Sequence, residues 1–410
     1  MIRFRAVARV TPVLLVALAS CQQQSNAPMQ AVAPPPSPAP AAAPVEAPPA
    51  EPSVAVPTLV EAGTTNLDAR ASALASALSK MWTRNPEQLV SVIDSASRRA
   101  TPSPSVTLLL AIAYAETNGK ILDVSEAGAV GLAQATPIAC RQEKFDGKLF
   151  VTDDYLTGAR AYIMKKPLGD ADTIASVIVE RDNARSRRRA RRLLNSAVEL
   201  RLEGVQELDL LAPYASAEYA KEIAIAKRHN LHALQRLDRL LADGSRTELR
   251  HFRDDARRQY RDLKDVQMQS WARYQLDLIQ RRDALLEKHF GQPAAWVRRT
   301  QPYAAGDLLG RELDERFSAT HMAEFLVRHL ERKADEARTL ARSEAQVEIM
   351  TAALYNGGSH NVKRMLVGLI SSLPETQRYM RKVPATRRRL DQSIASLQSP
   401  IDMSRRDKSR

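Results

Sequence analysis

The chain holds one carboxylate whose surroundings suit proton transfer. Glu116 stands at the exit of Val106 to Glu116, and the stretch Leu108-Leu109-Leu110-Ala111-Ile112-Ala113 just before it is apolar on every side. An all-round apolar helix is a buried one. A carboxyl at its exit loses hydration, which raises its pKa toward the range a general acid needs near neutral pH. Downstream lies Ser125-Glu126-Ala127-Gly128-Ala129-Val130-Gly131-Leu132-Ala133-Gln134-Ala135-Thr136-Pro137. Gly128 and Gly131 permit backbone turns and the close approach of a ligand. The Gln134 amide both donates and accepts, which suits a sugar N-acetyl group. Far along the chain, Tyr355-Asn356-Gly357-Gly358 places a phenol beside an amide in a turn suited to saccharide contact. Ser125 is read either as a glycan contact or as a brace of its own loop.

These residues need helices to hold them. The chain has 410 residues, 44% of them hydrophobic and only 5% aromatic, with Leu, Ala and Arg dominating its middle. That balance favours helices, and the fold class expected is all-α. Helices are expected near 66–83 and 86–99. Ser103 is read as the N-cap of the Glu116 helix, Pro104 as part of its first turn, and Asn118-Gly119 as its end. Leu231, Leu234, Leu237 and Leu241 recur at helical spacing, as do Met322, Phe325, Leu326 and Leu330. Gly244 and Gly291-Gln292-Pro293 mark breaks.

Four ordered segments together resemble a known family. Glu116-Thr117, Gly128 to Gln134, Ala353-Leu354-Tyr355-Asn356-Gly357-Gly358 and the closing stretch Leu373 to Val383 are similar to the motifs of soluble-lytic-transglycosylase-like (SLT) domains. The resemblance covers about 104–165 and 346–384. It implies a lysozyme-like lobe interrupted by a long helical insertion over 170–345, expected as antiparallel hairpins projecting from the lobe. The pattern departs from the family at Thr117, Ala133, Thr136 and Leu354, where Ser, Met, Met and a small residue are usual. The methionines near the sugar subsites are therefore absent.

The resemblance implies cleavage of the β-1,4 bond between N-acetylmuramic acid and N-acetylglucosamine in peptidoglycan, with a 1,6-anhydro product. Glu116 would protonate the glycosidic oxygen and then take the proton of the muramic C6 hydroxyl. Ser125, Gln134, Tyr355 and Asn356 would hold substrate, and no cofactor is required. Two other readings compete. A muramidase would want a second carboxylate, for which Asp123 is nearest by sequence, and a wall-binding scaffold would use the same motifs without chemistry.

The N-terminus reads as an address. Arg3, Arg5 and Arg9 precede an apolar run that ends at Leu18-Ala19-Ser20-Cys21. Residues 1–20 therefore read as a secretory signal, too short to span a membrane. They resemble a lipoprotein signal, which implies a lipid on Cys21 and, with Gln22 following, the periplasmic face of an outer membrane. Residues 21–60 are rich in Pro and Ala and read as an extended tether.

Net charge is +13, which points to an anionic partner. The run Arg185 to Arg192 is read first as a solvated helix face, then as attraction to wall carboxylates or lipid headgroups. Nucleic acid is the least favoured partner for an exported chain, and a protein partner at the insertion is a further expectation. His229 and His232, three apart on an expected helix, could form a ligand pair but have no third ligand nearby, so they are read as two exposed helical histidines and no metal is expected. Residues 385–410 read as a basic, disordered tail.

Overall fold

A computed structural model describes residues 69–398, apart from 82, 101–103, 211, 230 and 371–372. The described residues form an all-α structure whose only β features are isolated bridges at Val124, Val130 and Ala135. Its helices are α1 (Ala69–Lys80), α2 (Pro86–Arg99), α3 (Val106–Thr117), α4 (Pro137–Gln142), α5 (Asp153–Glu180), α6 (Ala184–Asp209), α7 (Ala217–His229) and α8 (His232–Asp243). They continue with α9 (Arg246–Phe290), α10 (Ala294–Thr300), α11 (Pro302–Glu312), α12 (Ala319–Leu340), α13 (Glu344–Gly357), α14 (Ser359–Val367) and α15 (Pro374–Gln398). The expected signal, tether and Cys21 lie outside the described residues.

Helix α3 lies within the main core of the described residues. Leu109, Leu110, Ala111, Ile112 and Ala113 are all inaccessible to solvent, and α2, α12 and α15 pack around them. The helix begins at Val106 with Ser105 at its N-cap, so Pro104 precedes the first turn and does not enter it. The expected cap, Ser103, lies outside the described residues. At the other end Asn118 adopts the left-handed conformation at φ 51°, and its N–H bonds back to Tyr114 O. This stops the helix at Thr117.

The longest element is α9, 45 residues, or about 68 Å of rise. Its start is fixed by a capping box between Ser245 and Glu248, its end by left-handed Gly291. It lies along α5, and the approach is close. A Cβ on Gly158 of α5 would meet the Trp271 ring of α9 at 2.2 Å.

The expectation of hairpins projecting from a separate lobe is met only in part. The second half of α5, with α6, α8 and the start of α9, closes a core of its own around Ile174, Leu194, Leu237 and Leu249. The rest of the segment does not project. Tyr274, Leu278 and Leu286 of α9, with Phe317, Met322, Phe325 and Leu330, belong to the core that contains α3. Helix α5 also runs unbroken through the junction expected at 169/170. Periodicity gives a helix its apolar face but not the partner of that face.

Two smaller expectations are corrected. His229 and His232 do not share a helix: α7 ends at the first, α8 starts at the second, and both are exposed. Among the described residues no three His, Cys, Asp or Glu side chains gather as a metal-holding group. A tail was expected from 385, but residues 385–398 are helical. Helix α15 continues to Gln398 because Leu390 is buried and Arg387 pairs with Glu348 of α13 at 2.7 Å. The arginine run lies on α6, where Arg185, Arg188, Arg189, Arg191 and Arg192 are exposed while Ala190, Leu193 and Leu194 face inward.

Candidate active site

Glu116 occupies the last turn of α3, half-buried. Burial pushes its pKa up from 4.5 to about 7. The Tyr379 hydroxyl opposes that push, Glu375 adds to it, and Lys382 opposes it. Tyr379 comes from α15, which packs on α3. Its hydroxyl stands within electrostatic reach of the carboxyl but is short of full hydrogen-bonding geometry with any described partner. Lys382, one turn further along α15, donates to Ala115 O at 3.2 Å and lies over the Tyr114 ring. The helix that closes the site thus brings both a phenol and an ammonium to the acid.

Tyr355 approaches from α13. Its ring stacks parallel to that of Tyr379, with centroids 6.3 Å apart. Its hydroxyl donates to Ala133 O at 2.7 Å, which ties α13 to the loop carrying Gln134. Burial and the neighbouring Glu116 carboxylate hold the pKa of both phenols well above the usual tyrosine value. Both therefore remain protonated at neutral pH.

The other expected substrate residues are engaged within the protein. Gln134 sits at φ 44°, and its Nε2 donates to Asp123 O at 3.3 Å and Gly131 O at 3.1 Å. Among the described residues its Oε1 has no hydrogen-bond partner. Ser125 braces its own turn, with Oγ accepting from Ala129 N at 2.9 Å. The Asn356 Oδ1 accepts from Thr376 Oγ1 at 2.9 Å, joining α13 to α15. Glu116, Tyr355 and the Gln134 loop are thus brought together, while Ser125 stands apart as a turn brace. Asp123, the second carboxylate a muramidase would need, is half-exposed and lies 3.9 Å from Lys120 Nζ.

Gly128 and Gly131 were expected to admit a ligand, but what approaches them is the chain itself. A Cβ on Gly128 would meet the Tyr274 ring at 2.2 Å, and one on Gly131 would meet Arg316 O at 1.9 Å. Both glycines have positive φ, at 69° and 76°. Beneath them Arg316 is wholly buried against Asp314 at 2.7 Å. It also donates to Gly128 O, Ala135 O and the Tyr274 hydroxyl at 2.8–3.0 Å. A buried charge with every donor used is rigid, and removing a partner would leave it uncompensated. Two side chains of α9 complete the fastening: Gln275 donates to Val124 O at 3.1 Å and Arg282 to Leu122 O at 2.8 Å.

Sequence reasoning also missed a group behind Tyr355. The His329 ring of α12 meets Tyr355 edge-on, with centroids 5.2 Å apart, and stacks on Phe325. His329 Nδ1 lies 2.5 Å from Glu143, which also accepts from Arg332 at 2.6 Å. Burial favours neutral His329, and despite the Glu143 hydrogen bond its pKa stays below the ordinary value. Burial would raise Glu143, but its bond to His329 and the nearby charges hold it below the usual carboxylate range. The carboxylate therefore accepts a proton held on Nδ1. The one signal available was a histidine among the apolar positions of α12; Tyr379 had a stronger one, lying inside the family-like closing segment.

No family model matches the chain, and no curated protein or solved structure is significantly similar to it.

Proposed function

We propose that the protein is a lytic transglycosylase of bacterial peptidoglycan, with Glu116 as its single acid and base. The observation that carries this reading is the Glu116 carboxyl, pushed up to about 7 by burial and faced by two protonated phenols. A carboxyl of that pKa gives a proton and takes one back at neutral pH with little driving force lost either way. In the first half of the reaction Glu116 protonates the oxygen between N-acetylmuramic acid and N-acetylglucosamine. The acetamido group of the substrate supports the electron-poor carbon. In the second half Glu116 accepts the C6 hydroxyl proton as that oxygen closes onto C1. The intramolecular hydroxyl gains over water by proximity. Tyr379 orients the carboxyl, and Tyr355, whose proton goes to Ala133 O, offers its oxygen lone pair to the acetamido N–H. The Gln134 Oε1 and the Asn356 amide nitrogen, both without a partner among the described residues, suit sugar N–H and carbonyl groups.

The order of motifs resembling SLT domains supports the same reading, with a lysozyme-like lobe as its fold. The lipoprotein-like signal, Cys21 and the Pro/Ala stretch support an anchored protein at the periplasmic face of an outer membrane. No described helix is long and apolar enough to cross a membrane.

Digestion of purified sacculi, with mass spectrometry of the new glycan ends, tests the proposal. Anhydro ends are expected. Reducing ends would replace it by a muramidase, and no release by a binding scaffold.

A further inference from the structure

A cleft of about 200 Å³ opens where α3 ends, lined by Arg84, Gly119, Lys120, Leu122, Asp123, Ala295, Arg298 and Arg299 among others. Its floor is the backbone that leaves the Glu116 helix. Arg84 N–H bonds to Asn118 O at 3.5 Å, and the Arg84 backbone covers Gly119 so closely that a Cβ there would meet Arg84 O at 2.7 Å. Its far wall is α10, from the segment that separates the motifs.

Four cations face this space, and their carboxylate partners are few and distant. Lys120 has Asp123 at 3.9 Å, and Arg298 has Asp283 at 3.7 Å. Asp283 is already taken by Arg282 at 2.8 Å. Among the described residues Arg84 and Arg299 have no carboxylate partner. An excess of positive charge in a concave site focuses the field and attracts a small anion.

The place of the cleft narrows the choice of anion. Gly119 follows Glu116 by three residues, so their Cα atoms are at most about 11 Å apart. A peptide of four residues extends to about 13 Å, so a stem peptide on the muramic acid at the cleaved bond can reach the cleft. We infer that the cleft binds a carboxylate of the stem peptide carried by the muramic acid, with Arg84, Lys120 and Arg299 as its cationic lining. The inference rests on the reading of the chain as a peptidoglycan enzyme. It adds that the enzyme selects glycan bearing acidic peptide over bare glycan.

The test is binding, so it does not depend on cleavage. The full chain is titrated calorimetrically with the free stem tetrapeptide, with its fully amidated form and with inorganic phosphate. The same is done for Arg84→Gln/Lys120→Gln/Arg299→Gln, whose positions are exposed. The tetrapeptide is expected to bind the parent chain and to weaken roughly ten-fold in the triple variant and in the amidated form, with strong salt dependence. Tetrapeptide binding that is absent, or equal in parent and variant, would overturn the assignment. Phosphate binding as tight as tetrapeptide binding would also overturn it, since the cleft would then be a general phosphate site. Failure of the enzymatic reading shows separately, as no release from sacculi.

Discussion

Glu116 and Tyr379 face each other across the packing of α3 against α15, and each changes the other's hold on its proton. The hydroxyl lowers the pKa of the carboxyl, while the carboxylate raises that of the phenol. The acid is thereby kept near neutrality, and the phenol is kept a donor.

Glu116→Gln is expected to reduce glycan cleavage by about 10²–10⁴-fold, the usual contribution of a general acid. Muropeptide release from sacculi measures it. Activity within a few-fold of the parent chain would remove Glu116 from the mechanism.

The same substitution should reveal a cost of burial. The folded carboxyl holds its proton up to about pH 7, the unfolded one only to about 4.5. Between those values the folded state binds more protons, so stability falls as pH rises. At pH 8 Glu116→Gln should be more stable than the parent by up to about 3 kcal/mol, with the difference vanishing below pH 4.5. Paired thermal melts across that window give the answer, and a constant difference would contradict the raised pKa.

Tyr379→Phe removes the hydroxyl that lowers the Glu116 pKa. The alkaline limb of the activity profile should then move to higher pH, with a loss of rate of about ten-fold. An unchanged limb would mean that the hydroxyl does not act on the carboxyl.

Gly131→Ala sets a methyl against the Arg316 carbonyl oxygen at a backbone angle of positive φ. A backbone atom cannot swing aside as a side chain can. A loss of about 3 kcal/mol or more is expected, read as a lowered midpoint in urea. Gly128→Ala should cost less if the Tyr274 ring can shift.

Replacing 170–345 with a flexible linker should give no cooperatively folded protein. The change removes Tyr274, Phe317, Met322 and Phe325 from the core of α3, and Arg316 from beneath the glycine loop. Circular dichroism melts decide it: a sharp transition in the shortened chain would show that the lobe is self-sufficient after all.

Much of the local structure was legible because its causes are local. The bounds of α2 follow from Pro86 at its first position and its amphipathic face, and the stop of α3 from Asn118. Gly291 ends α9 for the same kind of reason. Glu116 itself was legible because a polar residue closing an apolar run is visible in one dimension. The surroundings of Gly128 and Gly131 were not. A glycine signals that something comes close, and only the fold says that here it is Tyr274 and Arg316. Tyr379 and His329 were hidden for a related reason: their importance lies in which helix they face. The arrangement of α9 was also beyond reach, since a 45-residue amphipathic helix can lie against many partners.

The fastening of the glycine loop has a consequence for how the chain reaches its working form. The bonds from Gln275, Arg282 and Arg316 to that loop join residues 151 to 188 positions apart. Such contacts form late, after the intervening chain has collapsed, because distant ends must be brought together before any bond rewards the closure. A nascent or truncated chain therefore carries its acid from early in synthesis but neither the clamp beneath the loop nor the tyrosines opposite. Maturation of the site is coupled to completion of the polypeptide, so incomplete products of this chain are expected to be inert.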